Sequence, residues 1–191
     1  KRVDDLAIEA SNEAFAAAGI TKDEVDAYWL GTAQSGMSGI TLSRALQLQD
    51  KPVTRVENYC ASGSEALRQA CYAVASGAYD VAMAVGVEKV KDSGHQGLNA
   101  FPIPDDGATR TVSAAGSFSM VAPAYAAKYG VPMEQLKRTL ARIASKNHHN
   151  GARNPRAQFR REMSVDQICA MPNVAGDLSV FDCAGVADGS A

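Results

Sequence analysis

The chain has 191 residues, of which 46% are hydrophobic and 21% are charged, a composition typical of a globular protein with a sizeable core. Its 19 lysines and arginines nearly balance its 21 aspartates and glutamates, which argues against a general nucleic-acid binder or a polybasic membrane binder. No run of about 18 apolar residues is present, so we expect no membrane span.

Apolar residues at helical spacing predict an amphipathic helix over residues 3–19, which Gly19 is suited to end. Strand and helix patterns then alternate along the next part of the chain. They predict a strand at 25–31, a helix at 40–48, a strand at 53–57, a helix at 61–76 and a strand at 81–87. This order indicates βαβ units, and therefore an α/β fold with a mostly parallel sheet.

The pattern changes after residue 90, where residues 91–111 are rich in Gly, Pro, Asp and Ser and are predicted to form a loop. The elements predicted next are a helix at 118–129 interrupted or kinked by Pro123, a helix at 132–146, a break at 147–155, a short helix capped by Ser164 and a strand at 178–183. We expect an α/β core at 1–90, an inserted loop subdomain at 91–176 and a return strand to the core at 177–191.

One cysteine, Cys60, lies where a predicted strand meets the predicted helix at 61–76. The exposed N–H groups and positive dipole end of a helix favour a thiolate over a thiol, and a thiolate is a good nucleophile for acyl transfer. The small residues Ala61, Ser62 and Gly63 leave room for a substrate carbonyl, and the N–H of Cys60 or of the residues that follow it is a candidate donor to a developing oxyanion. The alternative is that Cys60 is a small buried hydrophobe, the common environment of cysteine.

The three other cysteines are predicted to be structural. Cys71 shares a predicted apolar helix face with Leu67 and Val74, so we place it in the core, and Cys169 and Cys183 are interpreted in the same way. The chain has no C-x-x-C pair and only three histidines, so a metal site is not expected. The even number of cysteines permits disulfides, but their spacing does not suggest a small secreted scaffold, which favours a reducing, cytoplasmic compartment.

The segment around Cys60, residues 57–66, reads Glu-Asn-Tyr-Cys-Ala-Ser-Gly-Ser-Glu-Ala. It resembles the nucleophile segment of thiolases, whose core is Cys-Ala-Ser-Gly or Cys-Ala-Thr-Gly. Residues 86–90 resemble the following thiolase strand, and residues 146–159 resemble the loop domain of sterol-carrier-protein-2-type thiolases and of archaeal and bacterial acetyl-CoA acetyltransferase-like proteins. Residues 181–191 are similar to the strand that ends the N-terminal thiolase half. Four matched segments in order are more specific than any single motif.

The resemblance implies a layered α/β/α thiolase half with a mixed, mostly parallel sheet and an inserted loop subdomain. It also implies an acyl-CoA C-acyltransferase that makes or cleaves 3-ketoacyl-CoA through an acyl-cysteine at Cys60. CoA thioesters would be the substrates, with no metal or organic cofactor, and the protein would be a homodimer or homotetramer, with partner enzyme subunits in some relatives. The alternative is a non-catalytic or aldolase-type subunit of a multi-protein acyl-CoA complex. Ketoacyl-ACP synthases share the fold, but their usual Cys-Ser-Ser matches less well.

In thiolases, the histidine that activates the cysteine and the acid/base residue belong to the C-terminal half, which the matched segments do not include. We therefore expect this chain to be a fragment of a longer enzyme and to be inactive alone. We expect His148 and His149 either at a solvated helix end or in contact with pantetheine or a neighbouring subunit, and His95 in an exposed loop. The basic residues of the insert form either a solvated face or a rim that attracts the phosphates of CoA.

Overall fold

The computed structural model describes residues 1–91, 101–105 and 108–191, and the chain forms two compact units. The first unit comprises Lys1–Gln96 and Ala187–Ala191, and the second comprises Gly97–Val186. Each unit has its own cluster of buried hydrophobic residues.

Helices and strands alternate along the first unit, as the sequence predicts. They are α1 (Val3–Ala18), β1 (Ala27–Gly31), α2 (Ile40–Leu46), β2 (Val53–Val56), α3 (Ser62–Ala75) and β3 (Ala82–Glu88). Helix α1 is followed by Gly19, whose φ of 70° is the left-handed conformation that glycine adopts at low cost. The elements predicted over residues 3–87 are therefore confirmed, with small differences at their ends.

The second unit contains two short antiparallel sheets and four helices among the described residues. Its elements are β4 (Phe101–Asp105), β5 (Ala108–Val112), α4 (Ala114–Phe118), α5 (Val121–Tyr129), α6 (Met133–Arg153), α7 (Val165–Cys169), β6 (Asn173–Ala175) and β7 (Leu178–Ser179). Strand β4 pairs with β5, and β6 pairs with β7. The buried side chains of Ala141, Ala144, Met163 and Ile168 join α6 to α7 and to the segment between them.

The chain ends in β8 (Gly189–Ser190), which completes the sheet of the first unit. The strand order is β2-β1-β3-β8, in which β2, β1 and β3 are parallel and β8 runs antiparallel to β3. The Ser190 hydroxyl donates to the Leu6 carbonyl at 2.7 Å and so connects β8 to α1. The predicted mixed, mostly parallel sheet is therefore confirmed.

The core of the first unit lies on the face of the sheet that α1 and α2 cover. Tyr28 and Leu30 of β1 are fully buried there with Leu42 and Val85. The Tyr28 hydroxyl donates to a backbone carbonyl at 2.8 Å, and burial, followed by the charge of Asp23, raises the pKa of Tyr28 to about 12. Because successive strand residues point to opposite faces, Gly31 of β1 faces the other side, where α3 packs.

The described part of residues 91–111, predicted to be a loop, instead contains the pair β4 and β5, in which Phe101 lies opposite Val112. Pro102 and Pro104 argued against a strand, because proline cannot donate to a strand ladder. In a two-stranded sheet, however, one side of each strand needs no ladder partner, so both prolines are tolerated in β4.

The predicted helix at 118–129 is divided at Ser119 and Met120, where α4 has ended and α5 has not begun. Pro123 is the third residue of α5 and lies in its first turn. The missing N–H of proline has no intrahelical partner to lose in the first turn, so Pro123 starts a helix instead of kinking one.

Helix α6 continues through residues 147–153, where the sequence predicted a break. Asn, His and Gly are poor helix formers, but tertiary contacts override that weak preference. The Ser145 hydroxyl donates to the Met163 carbonyl at 2.7 Å, and the His148 ring packs edge-on against Phe181 with centroids 5.3 Å apart. These contacts hold the last turns of α6 in place.

The return strand predicted at 178–183 is also wrong. Leu178 and Ser179 form β7, which pairs with β6, and Val180–Asp182 is a 3-10 turn. The Asp182 carboxylate accepts hydrogen bonds from the N–H and the hydroxyl of Ser179, each at 2.8 Å, and so ends the strand. Among the described residues that follow β3, the pairing with the main sheet is made by β8.

Asp188 fixes the chain end to the end of β3. Its carboxylate accepts hydrogen bonds from the Val90 N–H at 2.9 Å and the Lys91 N–H at 3.0 Å, and it lies 3.2 Å from the Lys89 Nζ. These donors, led by the Lys91 N–H, hold the pKa of Asp188 below its usual range.

We expect Asp188→Asn to lower the free energy of unfolding at neutral pH and to weaken its pH dependence. The folded-state pKa lies below the unfolded value of about 3.9, so the ionised carboxylate stabilises the fold above that value and loses its effect as the pH falls through the folded pKa. Urea titrations between about pH 7 and about pH 3 should show a difference between the two proteins that closes at acid pH. Asp177→Asn, at an exposed aspartate, is the control; a difference that is constant across this range would contradict the expectation.

Candidate active site

Cys60 lies in the 3-10 turn Tyr59–Ala61, between the carboxyl end of β2 and the first residue of α3. Its side chain is exposed, so the alternative interpretation as a small buried hydrophobe is wrong. Ligand sites of open α/β sheets lie at the carboxyl ends of parallel strands. The predicted junction of strand, cysteine and helix is therefore confirmed.

The surface beside the turn is open. A Cβ built at Gly63 would meet no atom within 4 Å. The Ser62 N–H donates to the Tyr59 carbonyl, whereas the next N–H groups of the first turn of a helix have no intrahelical partner and are suitable donors to a negatively charged oxygen. The turn therefore presents a thiol, open space and helix-end N–H groups on one short stretch of chain.

Tyr59, which precedes Cys60, has a φ of 47°. This left-handed conformation costs a non-glycine residue about 1–2 kcal/mol. The Tyr59 N–H donates to the Glu57 carboxylate at 2.6 Å, and the Tyr59 carbonyl accepts from the Ser62 hydroxyl at 2.7 Å. The Ser62 hydroxyl in turn accepts from the Asn58 N–H at 2.8 Å. Hydrogen bonds on both sides of Cys60 therefore hold the turn in a strained shape.

Helix α3 begins in direct contact with β1. Ser62 is only 5% exposed. A Cβ built at Gly31, the last residue of β1, would lie 2.7 Å from the Ser62 carbonyl oxygen and 3.2 Å from the Gly63 nitrogen. Because those atoms are backbone, a side chain at Gly31 would force the start of α3 to move, and glycine is required there for this close approach.

Glu88, at the end of β3, binds the loop that follows β1. Its carboxylate accepts hydrogen bonds from the N–H of Ala33 at 2.7 Å and of Gln34 at 3.2 Å, and from the hydroxyls of Thr32 and Ser35. The carboxyl ends of β1 and β3 are thus joined on the side of the sheet where α3 begins. Sequence reasoning gave Glu88 no role of its own, although an acidic residue directly after an apolar strand is a signal for such a site.

Comparison with known families identifies the chain. The family model described as "Thiolase, N-terminal domain" matches residues 1–169. The chain belongs to the thiolase family. The resemblance that the sequence segments predicted is thereby confirmed.

Similar proteins cover nearly all of this thiolase chain. The acetyl-CoA acetyltransferase of Methanothermobacter thermautotrophicus is 34% identical over 196 residues, which cover 98% of this chain and 50% of that protein. Human sterol carrier protein 2 is 31% identical over 203 residues, which cover 98% of this chain and 36% of that protein. The chain therefore spans about half the length of the relative from Methanothermobacter and a smaller share of the human protein.

A solved structure titled "Ltp2-ChsH2(DUF35) aldolase" matches the fold with a TM-score of 0.74 and 22% sequence identity. The match covers 100% of this chain and 49% of the other chain. The thiolase-like α/β fold is therefore confirmed.

The prediction that Cys71 lies in the core of this thiolase is wrong, because its side chain is exposed. Helix α3 buries Ser62, Ala66 and Ala70 against the sheet, and the face that carries Leu67 and Cys71 is turned outward. Small residues lie inside because α3 approaches the sheet closely.

Cys169 and Cys183 are partly buried, as expected for structural cysteines. Burial, followed by the charge of Asp182, raises the pKa of the Cys183 thiol. A smaller thiolate fraction makes Cys183 a weaker nucleophile at neutral pH.

The carboxylate of Glu65, in the first turns of α3, already has hydrogen-bond partners on the same helix. It accepts from the Gln69 side-chain amide at 2.7 Å and pairs with the Arg68 guanidinium, and these bonds, with Gln69 first, lower the pKa of Glu65. We therefore do not assign Glu65 as the base for Cys60.

His148 and His149 belong to the second unit and lie within α6, not after a helix as predicted. The His148 Nδ1 lies 3.0 Å from the Arg161 carbonyl oxygen. The His149 Nδ1 lies 3.3 Å from the Glu162 carboxylate, which also pairs with Arg153 at 2.6 Å. Arg153, first by its hydrogen bond, lowers the pKa of Glu162.

Residue His95, predicted to lie in a loop, is outside the described residues. Within the described ranges, no group of His, Cys, Asp and Glu side chains is arranged to hold a metal ion. In the same part of the chain, no helix is both long enough and apolar enough to cross a membrane.

We expect Gly31→Ala to lower the free energy of unfolding by roughly 1–3 kcal/mol, because the new methyl group would overlap the backbone of α3. Gly63→Ala is the matched control, since its methyl group enters open space and alanine is the better helix former. Urea titration of both variants checks the expectation. Equal destabilisation by the two substitutions would show that the close approach does not matter.

We also expect iodoacetamide, used in small amounts at about pH 7.5, to modify Cys60 and Cys71 before Cys169 and Cys183. Exposure favours the first pair, and the raised pKa of the Cys183 thiol slows its reaction. Peptide mass mapping after short reaction times measures the order. Modification of Cys183 as fast as that of Cys71 would contradict the described burial.

Proposed function

We propose that this thiolase is an acyl-CoA C-acyltransferase that makes or cleaves 3-ketoacyl-CoA with Cys60 as its nucleophile. The exposed Cys60 thiol on the turn at the start of α3, in a chain of the thiolase family, is the observation that carries the proposal. The relative from Methanothermobacter is named an acetyl-CoA acetyltransferase, which supports CoA thioesters as the substrates.

In the direction of synthesis, the Cys60 thiolate adds to the carbonyl carbon of an acyl-CoA. The tetrahedral intermediate collapses with cleavage of the C–S bond to CoA, which leaves as a thiolate and takes up a proton. A second acyl-CoA loses a proton from its α-carbon, and the resulting carbanion adds to the acyl-cysteine. A 3-ketoacyl-CoA is released and the Cys60 thiolate is restored. Cleavage follows the same steps in reverse, so no oxidant or reductant is required.

The local structure suits the acylation step. The N-terminal end of α3 favours negative charge on the oxygen of the tetrahedral intermediate. The open space at Gly63 admits the acyl carbonyl. Helix-end N–H groups that are already oriented need not reorganise as charge develops, which is the source of their catalytic value.

We assign the proton acceptor for Cys60 and the acid/base group for the α-carbon to the C-terminal half of the thiolase fold, beyond the half matched here. The proposal includes no metal or organic cofactor, because the thioester itself supplies the electrophile and the acidic α-hydrogen. It also includes a cytoplasmic location and a homodimer or homotetramer.

Incubation of the whole protein with acetyl-CoA tests the proposal by intact-mass measurement and peptide mapping. We expect one acetyl group on Cys60 in the wild-type protein and none on that residue in Cys60→Ala. Turnover of a 3-ketoacyl-CoA with CoA should fall by roughly 10⁴-fold or more in Cys60→Ala, the scale for loss of a nucleophile.

Cys71→Ala is the matched control, since Cys71 is also exposed and lies on the same helix. It should keep both the adduct and the turnover. An adduct on Cys71 instead of Cys60, or equal acetylation of the wild-type protein and Cys60→Ala, would overturn the assignment.

A second candidate is an aldolase-type subunit, and one observation favours it. The solved structure with a TM-score of 0.74 is titled as an aldolase that contains a DUF35 protein. An enzyme of that type would cleave a 3-hydroxyacyl-CoA by a retro-aldol reaction without forming an acyl-cysteine. Retention of such cleavage in Cys60→Ala would support this candidate against the first.

A further inference from the structure

We propose that Ser62 is a positioning residue for Cys60, whose hydroxyl fixes the orientation of the Tyr59–Cys60 peptide bond. This inference rests on the proposed function of Cys60. In this role the Ser62 side chain does not touch the substrate. It keeps the Cys60 sulfur and the Cys60 N–H in a reactive arrangement.

The Ser62 hydroxyl points in an unusual direction for a serine at the start of a helix. A serine that caps a helix in the usual way accepts a hydrogen bond from an N–H two or three residues further along. Ser62 is the first residue of α3, and its hydroxyl points backward instead. It accepts from the Asn58 N–H at 2.8 Å and donates to the Tyr59 carbonyl at 2.7 Å, so both bonds go to residues that precede Cys60.

The Tyr59 carbonyl fixes the plane of the Tyr59–Cys60 peptide. The Tyr59 carbonyl accepts both the hydroxyl and the backbone N–H of Ser62, so it points toward α3. In a trans peptide the carbonyl and the following N–H point in opposite directions. The Cys60 N–H is therefore directed away from α3, and it stays available to the carbonyl oxygen of a substrate attacked by the Cys60 sulfur.

This arrangement also opposes the local backbone preference. Tyr59 has a φ of 47°, in the left-handed region that bulky residues avoid. The Ser62 hydroxyl bonds the Asn58 N–H on one side of Tyr59 and the Tyr59 carbonyl on the other. Loss of the hydroxyl would leave this strained turn free to relax, with rotation of the Tyr59–Cys60 peptide and of the Cys60 N–H. The two bonds of Ser62 close the turn against that rotation.

Ser62 itself cannot move to accommodate such a rotation. Ser62 is 5% exposed, and its carbonyl oxygen would lie 2.7 Å from a Cβ built at Gly31. The end of β1 that carries Gly31 is held in turn by Glu88 through the loop that follows β1. The sheet therefore fixes Ser62, and Ser62 fixes the peptide before the nucleophile.

The test uses Ser62→Ala in the whole protein and follows single-turnover acetylation of Cys60 by acetyl-CoA together with steady-state kcat and KM. We expect the acetylation rate constant and kcat to fall by roughly 10- to 100-fold, with KM changed by less than about 3-fold, because orientation in the transition state is lost. Alkylation of Cys60 by iodoacetamide should change by less than about 3-fold, since that displacement develops no oxyanion.

Two further substitutions separate the hydroxyl from packing. Ser62→Thr and Ser62→Val have the same shape and differ only in the hydroxyl, so the threonine variant should keep acetylation within about 3-fold of wild type while the valine variant loses it. This pair also serves if Ser62→Ala does not fold. Ser76→Ala is the control, since it removes a hydroxyl that donates to the Ala73 carbonyl at 3.0 Å at the far end of the same helix.

A crystal structure of Ser62→Ala supplies a readout that does not depend on activity. We expect the Tyr59–Cys60 peptide to be rotated, which changes ψ of Tyr59 and φ of Cys60. If wild-type Cys60 is not acetylated, the proposed function fails while this structural result still decides the role of Ser62. An unrotated peptide, equal acetylation of the threonine and valine variants, or a parallel loss of acetylation and alkylation would overturn the inference.

Discussion

Helix α3 begins so close to the last residue of β1 that a methyl group at Gly31 would lie 2.7 Å from the Ser62 carbonyl oxygen. This approach determines where the turn before the helix can run, and so where the Cys60 thiol emerges. A helix held farther from the sheet would need larger side chains than Ala66 and Ala70 on its inner face. The small residues of α3 and the glycine of β1 therefore act together to place one sulfur atom.

Where the strands of the first unit begin and end, side-chain carboxylates accept hydrogen bonds from backbone N–H groups that have no partner in the strand ladder. Glu88 binds the N–H groups of the loop after β1, and Asp188 binds those that follow β3. Asp26, before β1, accepts from the N–H groups of Asp80 and Val81, which lower the pKa of Asp26, with Val81 first. Backbone donors that the strand ladder leaves without partners are thus satisfied by side chains.

The position of Cys60 could be predicted from the sequence because it depends on a local change from strand to helix periodicity. The environment of Cys71 could not be predicted from the sequence, because α3 carries apolar residues on two faces. The larger ones, such as Leu67, point outward. Pattern reasoning assigns the largest apolar residues to the core, whereas here the close approach to the sheet selects small ones. The end of α6 was missed since Ser145 and His148 stabilise it through contacts with residues distant in the sequence. The strained backbone of Tyr59 leaves no periodic signal at all.

Both hydrogen bonds of the Ser62 hydroxyl go to main-chain atoms of Asn58 and Tyr59. These bonds therefore use no side-chain atom of either residue, although both residues border the nucleophile and Tyr59 is 61% exposed. A substitution that tolerates the positive φ at position 59 can reshape the surroundings of the sulfur without altering the turn that presents it. The turn thus separates two properties that often evolve together, the reactivity of the nucleophile and the selectivity of its pocket.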